Sequence, residues 1–243
     1  MTGRRYVAAV LAAVALGGAL GACGGGDDDD AADDTEEPTG TTERDGTTGT
    51  TMNTGGLEVA APDGWQTIPV PDIGIGLAVP PGWEATVLSP EGLSTLAGAS
   101  PTVPGFTDLA HAAAAQGGLL YAAGADPGGG ISDVMVRATP GTGVTDAASL
   151  KLAAEMTAAN SGTDPTKVTV VEGAAFPTAI VPFALGGPTT GGTDRRDAQA
   201  RALVIAGPGD VLWEVTVAAD DVASLDQLTE QIRTTLAFTE PEG

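Results

Sequence analysis

The chain has 243 residues and is strongly acidic, with 32 Asp and Glu against ten Lys and Arg and a formal net charge of −22. That balance argues against nucleic acid and against direct adsorption to anionic lipid, since both call for a basic surface. A single cysteine, Cys23, cannot form an intramolecular disulfide, and a single histidine, His111, lacks the companion ligands that a zinc or other metal site needs, so neither metal nor cofactor is expected.

Arg4 and Arg5 precede an uninterrupted apolar run from Tyr6 to Leu16, which ends in the small residues Gly17, Gly18 and Ala19. This is the pattern of an export signal. A retained membrane anchor is the alternative, but about 17 apolar residues rich in alanine and glycine sit at the bottom of the range that spans a bilayer. The next four residues, Leu20-Gly21-Ala22-Cys23, resemble the lipobox of bacterial lipoproteins. The resemblance implies that residues 1–22 are removed and that Cys23 is acylated, as with palmitate. The chain is then held by lipid on the outer face of the plasma membrane. Two or three acyl chains make such an anchor durable, because each buried methylene contributes about 0.8 kcal/mol and one chain alone holds only marginally.

Gly24 to Gly56 carries ten acidic residues, one arginine and almost nothing that could be buried, which reads as a disordered acidic tether. A flexible chain of that length has an end-to-end distance of about 30 Å, extended further by self-repulsion. Asp27 to Asp30 form a run rather than the fixed cage of oxygens that Ca²⁺ requires. With the signal and tether set aside, seven basic residues remain against 22 acidic ones, so the rest of the chain still carries a net charge of about −15. Residues 57–243 are long enough for one domain with a substantial core.

Within that domain Ile73 to Val79 alternates large and small residues, as in a strand covered on one face, and Pro80-Pro81-Gly82 turns the chain into a short strand from Trp83 to Leu88. A helix is predicted over Thr107 to Gln116. Gly118 to Ala123 and Ile131 to Thr139 form a hairpin through Asp126-Pro127-Gly128. Thr145 opens a second helix with Leu152, Met156 and Ala159 on its apolar stripe and Asn160 to Gly162 as its stop. Four strands follow, Lys167 to Ala174, Ala179 to Leu185, Arg196 to Ala206 and Val211 to Ala218, the last two joined as an antiparallel hairpin by Gly207-Pro208-Gly209-Asp210. The last helix starts near Asp221, with Ser224 and Gln227 spaced for a capping box and Leu225, Leu228 and Ile232 facing the core.

Hairpins separated by helices predict an α+β domain, an antiparallel β-sheet layered with helices rather than a doubly wound sheet. The stretches IGLAVPPGWE (Ile75 to Glu84) and ALVIAGPGDVLWEVTVAAD (Ala202 to Asp220), with the terminal QIRTTLAFT, are similar to the PsbP-like (Mog-type) fold, and within it to the LpqN-type lipoproteins of actinobacteria. That resemblance implies a binding or assembly accessory rather than one conserved chemistry.

His111, flanked by alanines in a predicted helix, reads as a surface or structural residue. No G-x-S-x-G elbow gives the serines a hydrolase context. The carboxylates are scattered, which disfavours catalysis and leaves a carboxylate-dependent cell-wall hydrolase or transferase as the alternative to a non-catalytic binder. Three of the domain's seven basic residues, Arg195, Arg196 and Arg201, crowd around one strand start. They read either as a charged edge that discourages sheet pairing or as a contact for an anionic or sugar ligand. The segment Gly186 to Thr193 reads as a flap between strands. Trp83 and Trp213 are expected to pack, whereas Trp65 is the aromatic best placed for a partner or sugar face. The expected function is a membrane-anchored extracytoplasmic lipoprotein that serves an envelope protein complex, a lipid or a glycan.

Overall fold

A computed structural model describes residues 57–126, 130–171, 174–184 and 199–239. The chain divides into two units, Met1–Thr48 and Gly49–Gly243, and every described residue lies in the second. The signal segment, Cys23 and the whole of the tether therefore lie outside the described residues.

The second unit is built on two antiparallel sheets. The smaller has three strands, β1 (Gln66–Val70), β2 (Ile75–Val79) and β10 (Ala237–Phe238), with β2 in the middle. The larger has seven. They are β3 (Glu84–Val87), β4 (Leu120–Ala125), β5 (Ile131–Pro140), β6 (Thr169–Val171), β7 (Thr178–Ala184), β8 (Gln199–Gly207) and β9 (Val211–Ala219). Their order across the sheet is β3-β4-β5-β9-β8-β7-β6. The two edges are its shortest strands, a form that limits pairing with other chains. Among the described residues four α-helices complete the layers: α1 (Pro90–Ala97), α2 (Phe106–Ala115), α3 (Ala147–Asn160) and α4 (Val222–Thr235). The α+β reading thus holds, with an antiparallel sheet between helical layers.

Strand alternation sends residues to two faces, and both are covered. On one face Leu120, Val134, Leu203, Ile205, Trp213 and Val215 join Leu225, Leu228 and Ile232 of α4 and Ile75, Leu77 and Val79 of β2 in the main core. On the other, α1 and α2 cover the β4 side through Leu96, Phe106 and Leu109 against Tyr121, Ala123 and Ile131. At the opposite end α3 sets Leu150, Ala154 and Ala158 on Ala179, Val181, Ala202 and Val204.

Local chemistry fixes where these elements start and stop. Ser89 caps α1 by accepting from Gly92 N at 3.1 Å, with Pro90 at the first helical position. Asp146 and Ser149 form a reciprocal capping box on α3. Asp221 accepts from Ser224 N at 2.7 Å, so α4 begins one turn before the expected Ser224/Gln227 box. The β8–β9 turn holds Gly209 at φ +72° and Asp210 at φ +55°. Asp210 tolerates that left-handed backbone while its carboxylate accepts from Gly143 N at 2.8 Å and its carbonyl from Gly141 N at 2.9 Å. The turn is thereby tied to the chain that leaves β5.

Several expectations are corrected. The strand expected from Ile73 splits into a single helical turn, Pro71–Ile73, and β2. All five β2 residues are buried rather than alternating, because Leu57 and Val59 cover the second face; a Cβ on Gly76 would come within 2.5 Å of Val59 Cγ2. The short strand expected after Pro80-Pro81-Gly82 is present as β3, at the edge of the seven-stranded sheet. The α3 stripe is inverted: Leu152 and Met156 are each 59% exposed, and Leu150, Ala154 and Ala158 face inward. With alanine at so many positions, both sides of this helix satisfy an apolar period. β1 and α1 were not expected at all.

Leu150→Ala is expected to cost about 2–5 kcal/mol of unfolding free energy in a urea titration, as buried leucine truncations do, whereas Leu152→Ala should fall within about 0.5 kcal/mol of wild type. Hydrogen bonds from Ser224, its backbone N–H first, hold the Asp221 carboxyl below the usual carboxylate range, and Ser149 and Thr166 do the same for Asp146 and Asp164. A depressed folded-state pKa gives stability that is present above the unfolded value of about 4 and is lost as pH falls through the folded value. Asp221→Ala should therefore lower Tm near neutral pH, with the gap to wild type closing in acid.

Candidate functional site

The face of the large sheet that carries α1, α2 and α3 is apolar at both ends and polar between them. Cross-strand register places Asp133 beside Ala218, Met135 beside Thr216, Arg137 beside Glu214 and Thr139 beside Leu212 along β5 and β9. All eight point to the side that α1, α2 and α3 share, since their neighbours Val134, Val136, Trp213 and Val215 enter the main core. Met135 packs against the α1–α2 cluster and Leu212 against the α3 cluster, so the polar residues form a strip framed by two apolar walls.

Exposure falls along this strip. Thr139 is exposed, the Arg137 and Glu214 side chains retain 29% and 21%, and Thr216 and Asp133 are buried. Arg137 Nη2 donates to Glu214 Oε1, which also lies 3.4 Å from the Thr216 hydroxyl. At the buried end the Tyr121 hydroxyl donates to Asp133 Oδ2 at 3.0 Å, and its ring leans on Phe106 at a centroid distance of 5.6 Å. Glu84 opens β3 and anchors one wall: its carboxylate accepts from Thr102 N at 2.5 Å, from Thr102 Oγ1 at 2.9 Å and from Val103 N at 3.2 Å. The strip offers a guanidinium, carboxylates and hydroxyls on a strand framework whose backbone cannot easily move. Such a surface suits orientation of a polar ligand or partner.

Of the residues singled out from sequence as possible contacts, Trp65 and Arg201 fall elsewhere. Arg195, Arg196 and the Gly186 to Thr193 segment lie outside the described residues, as does Cys23. Arg201 points to the opposite face, where its guanidinium meets Asp226 of α4 at 2.9 Å and bonds the Ala200 carbonyl at 3.1 Å. β8 lies between β7 and β9, so an edge-guarding role does not apply to Arg201. Trp65 is half-buried against the main core, after a turn in which Gly64 adopts φ +79°. Trp83 and Trp213 are buried as expected, each over a strand glycine: a Cβ on Gly124 would lie 2.1 Å from the Trp83 ring, and one on Gly207 2.5 Å from Trp213. His111 is exposed on α2. Among the described residues no three His, Cys, Asp or Glu side chains are grouped to hold a metal ion, and no helix is long and apolar enough to cross a membrane.

Tyr121, Asp133, Arg137, Glu214 and Thr216 escaped the sequence reading because Arg137 and Glu214 lie 77 positions apart. The available signal was alternation. In ISDVMVRATP and VLWEVTVAA the polar residues Asp133, Arg137, Thr139, Glu214 and Thr216 recur on the face opposite the valines.

No protein-family model matches the chain, and no curated protein is similar to it. Among solved structures, a crystal structure from Bacteroides thetaiotaomicron is similar with a TM-score of 0.40 and 12% identity, covering 74% of this chain. The chain spans about half the length of that protein, 50%.

Arg137→Met and Glu214→Gln are each expected to destabilise more than half as much as the pair together, with a coupling of about 0.5–3 kcal/mol in a double-mutant cycle followed by urea unfolding. Additive costs would show that the two side chains are independent.

Proposed function

We propose that the protein is a lipid-anchored, non-catalytic binding domain on the outer face of the plasma membrane. On this reading the β5–β9 strip is the surface it turns toward an envelope component, whether a subunit of an envelope complex, a lipid or a glycan. The anchor rests on the lipobox-like Leu20-Gly21-Ala22-Cys23. The accessory role draws on the resemblance to the LpqN-type lipoproteins.

One observation carries the binding surface. The Arg137–Glu214 pair stands in the middle of the sheet, partly buried, between two apolar walls. Replacing such a pair with well-packed apolar residues is commonly neutral or stabilising, so stability alone gives little reason to keep it. Recognition does. Paired donors and acceptors on a rigid framework fix the orientation and charge pattern of whatever docks, and discriminate against partners that would leave either charge unmatched. The acidic character of the domain favours neutral or basic partners.

Affinity capture of the tagged full chain from detergent-solubilised host membranes, read by mass spectrometry for proteins and extractable small molecules, tests both parts. Wild-type protein is expected in the detergent phase on phase partition, with an acyl mass on Cys23, and Cys23→Ser in the aqueous phase. A component that co-purifies with wild type is expected to be lost from Arg137→Glu. Retention of that component by the variant would remove the strip from the proposal, and a Cys23→Ser protein that still partitions with detergent would remove the anchor.

A further inference from the structure

We infer that α3 is a self-association surface, through which two copies pair by antiparallel packing of their α3 helices about a two-fold axis. The large hydrophobic side chains exposed among the described residues are Leu152, Met156 and Val222, and the first two lie one turn apart on the outer side of α3. Ala148 and Ala159 extend the same stripe and are exposed. The inner side of the helix is fully used by Leu150, Ala154 and Ala158. A helix apolar on both sides buries both when a second element covers it.

Charge identifies that element as a second copy. The domain is strongly acidic, yet between Ala147 and Asn160 the only charged residues are Lys151 and Glu155, one of each sign. They lie 3.8 Å apart on one flank of the apolar stripe. Another copy can therefore approach along the body of the helix without meeting the acid excess that would repel it elsewhere, the exposed Asp146 and Asp164 lying beyond its two ends. Where two identical helices meet face to face in antiparallel directions, a two-fold axis sets each flank against its own counterpart. Leu152 meets Met156 of the second copy about a centre at residue 154, and Lys151 meets its Glu155 about a centre at residue 153, so an axis midway leaves each pair only about 1.5 Å out of register. A parallel arrangement would set like against like.

The helix is about 21 Å long, so the contact is smaller than a standard stable interface and implies a weak, reversible dimer. This inference is independent of the β5–β9 strip, which lies on the sheet beneath.

Sedimentation velocity of the full chain in excess detergent, over a range of protein concentrations, tests it. A reversible monomer–dimer equilibrium is expected, and it should be abolished in Leu152→Glu/Met156→Glu, whose circular dichroism should stay native because both side chains are already exposed. Lys151→Glu and Glu155→Lys alone should each weaken the dimer several-fold to about tenfold, since each places like charges in two symmetric contacts. An equimolar mixture of these two variants restores opposite charges at both contacts and should dimerise more tightly than either alone. A wild-type chain that stays monomeric would overturn the proposal. So would a dimer indifferent to the Leu152/Met156 change, or a mixture no tighter than its components.

Discussion

The need to bury both faces of the seven-stranded antiparallel sheet governs the rest of this structure. β8 and β9 lie near its centre and carry apolar residues toward each side, so neither face can be left to water. One face is closed by α4 and the three-stranded sheet, the other by α1 with α2 at one end and α3 at the other. Every described α-helix is therefore committed to a lid. Close approach of the lids and rings explains the strand glycines. Gly124 and Gly207 let the Trp83 and Trp213 rings lie flat on the backbone, and any larger residue would lift them from the core.

The polar strip exists because the lids on the second face do not meet. Between the α2 and α3 clusters the sheet presents Arg137, Glu214 and Thr216, which satisfy one another across β5 and β9. The pattern keeps the cost of partial burial low while leaving charge at the surface of an otherwise apolar layer. The opposite face uses a similar device for a different end. Arg201 reaches from β8 to Asp226, and Ala78 N donates to the Thr235 hydroxyl at 3.0 Å where the two-residue β10 no longer reaches β2. There the polar contacts weld α4 to the two sheets rather than address solvent.

Much of the fold was legible because local chemistry and periodicity agreed. The Gly207 to Asp210 turn, the β4–β5 pairing and the inward face of α4 all follow from turn residues and apolar spacing. The failures have physical causes. The orientation of α3 was inverted since alanine satisfies an apolar period on either side, and only the shallow sheet surface of Ala179 and Ala202 decides which one fits. α1 carries a helix-start signature in Ser89, Pro90 and Glu91, which Gly92 inside its first turn obscures. β1 contains Pro69 and pairs only with β2, so its strand character comes from tertiary context. The candidate site was the least legible part, since its residues become neighbours only through the β5–β9 register. Of the arginines that cluster in sequence, Arg201 faces the far side of the sheet, and Arg195 and Arg196 lie outside the described residues.

The route by which the chain enters the second unit has a mechanical meaning. Leu57 and Val59 lie across Gly76, and β1 then pairs along β2 from Gln66 with Val79 to Val70 with Ile75. Tension arriving from the N-terminal side would first peel Leu57 and Val59 away, and next load the hydrogen bonds between β1 and β2. The seven-stranded sheet stands behind that junction and shares no backbone ladder with it. A pull from that side would therefore load β1 before β2, whose Ile75, Leu77 and Val79 close the core of the large sheet.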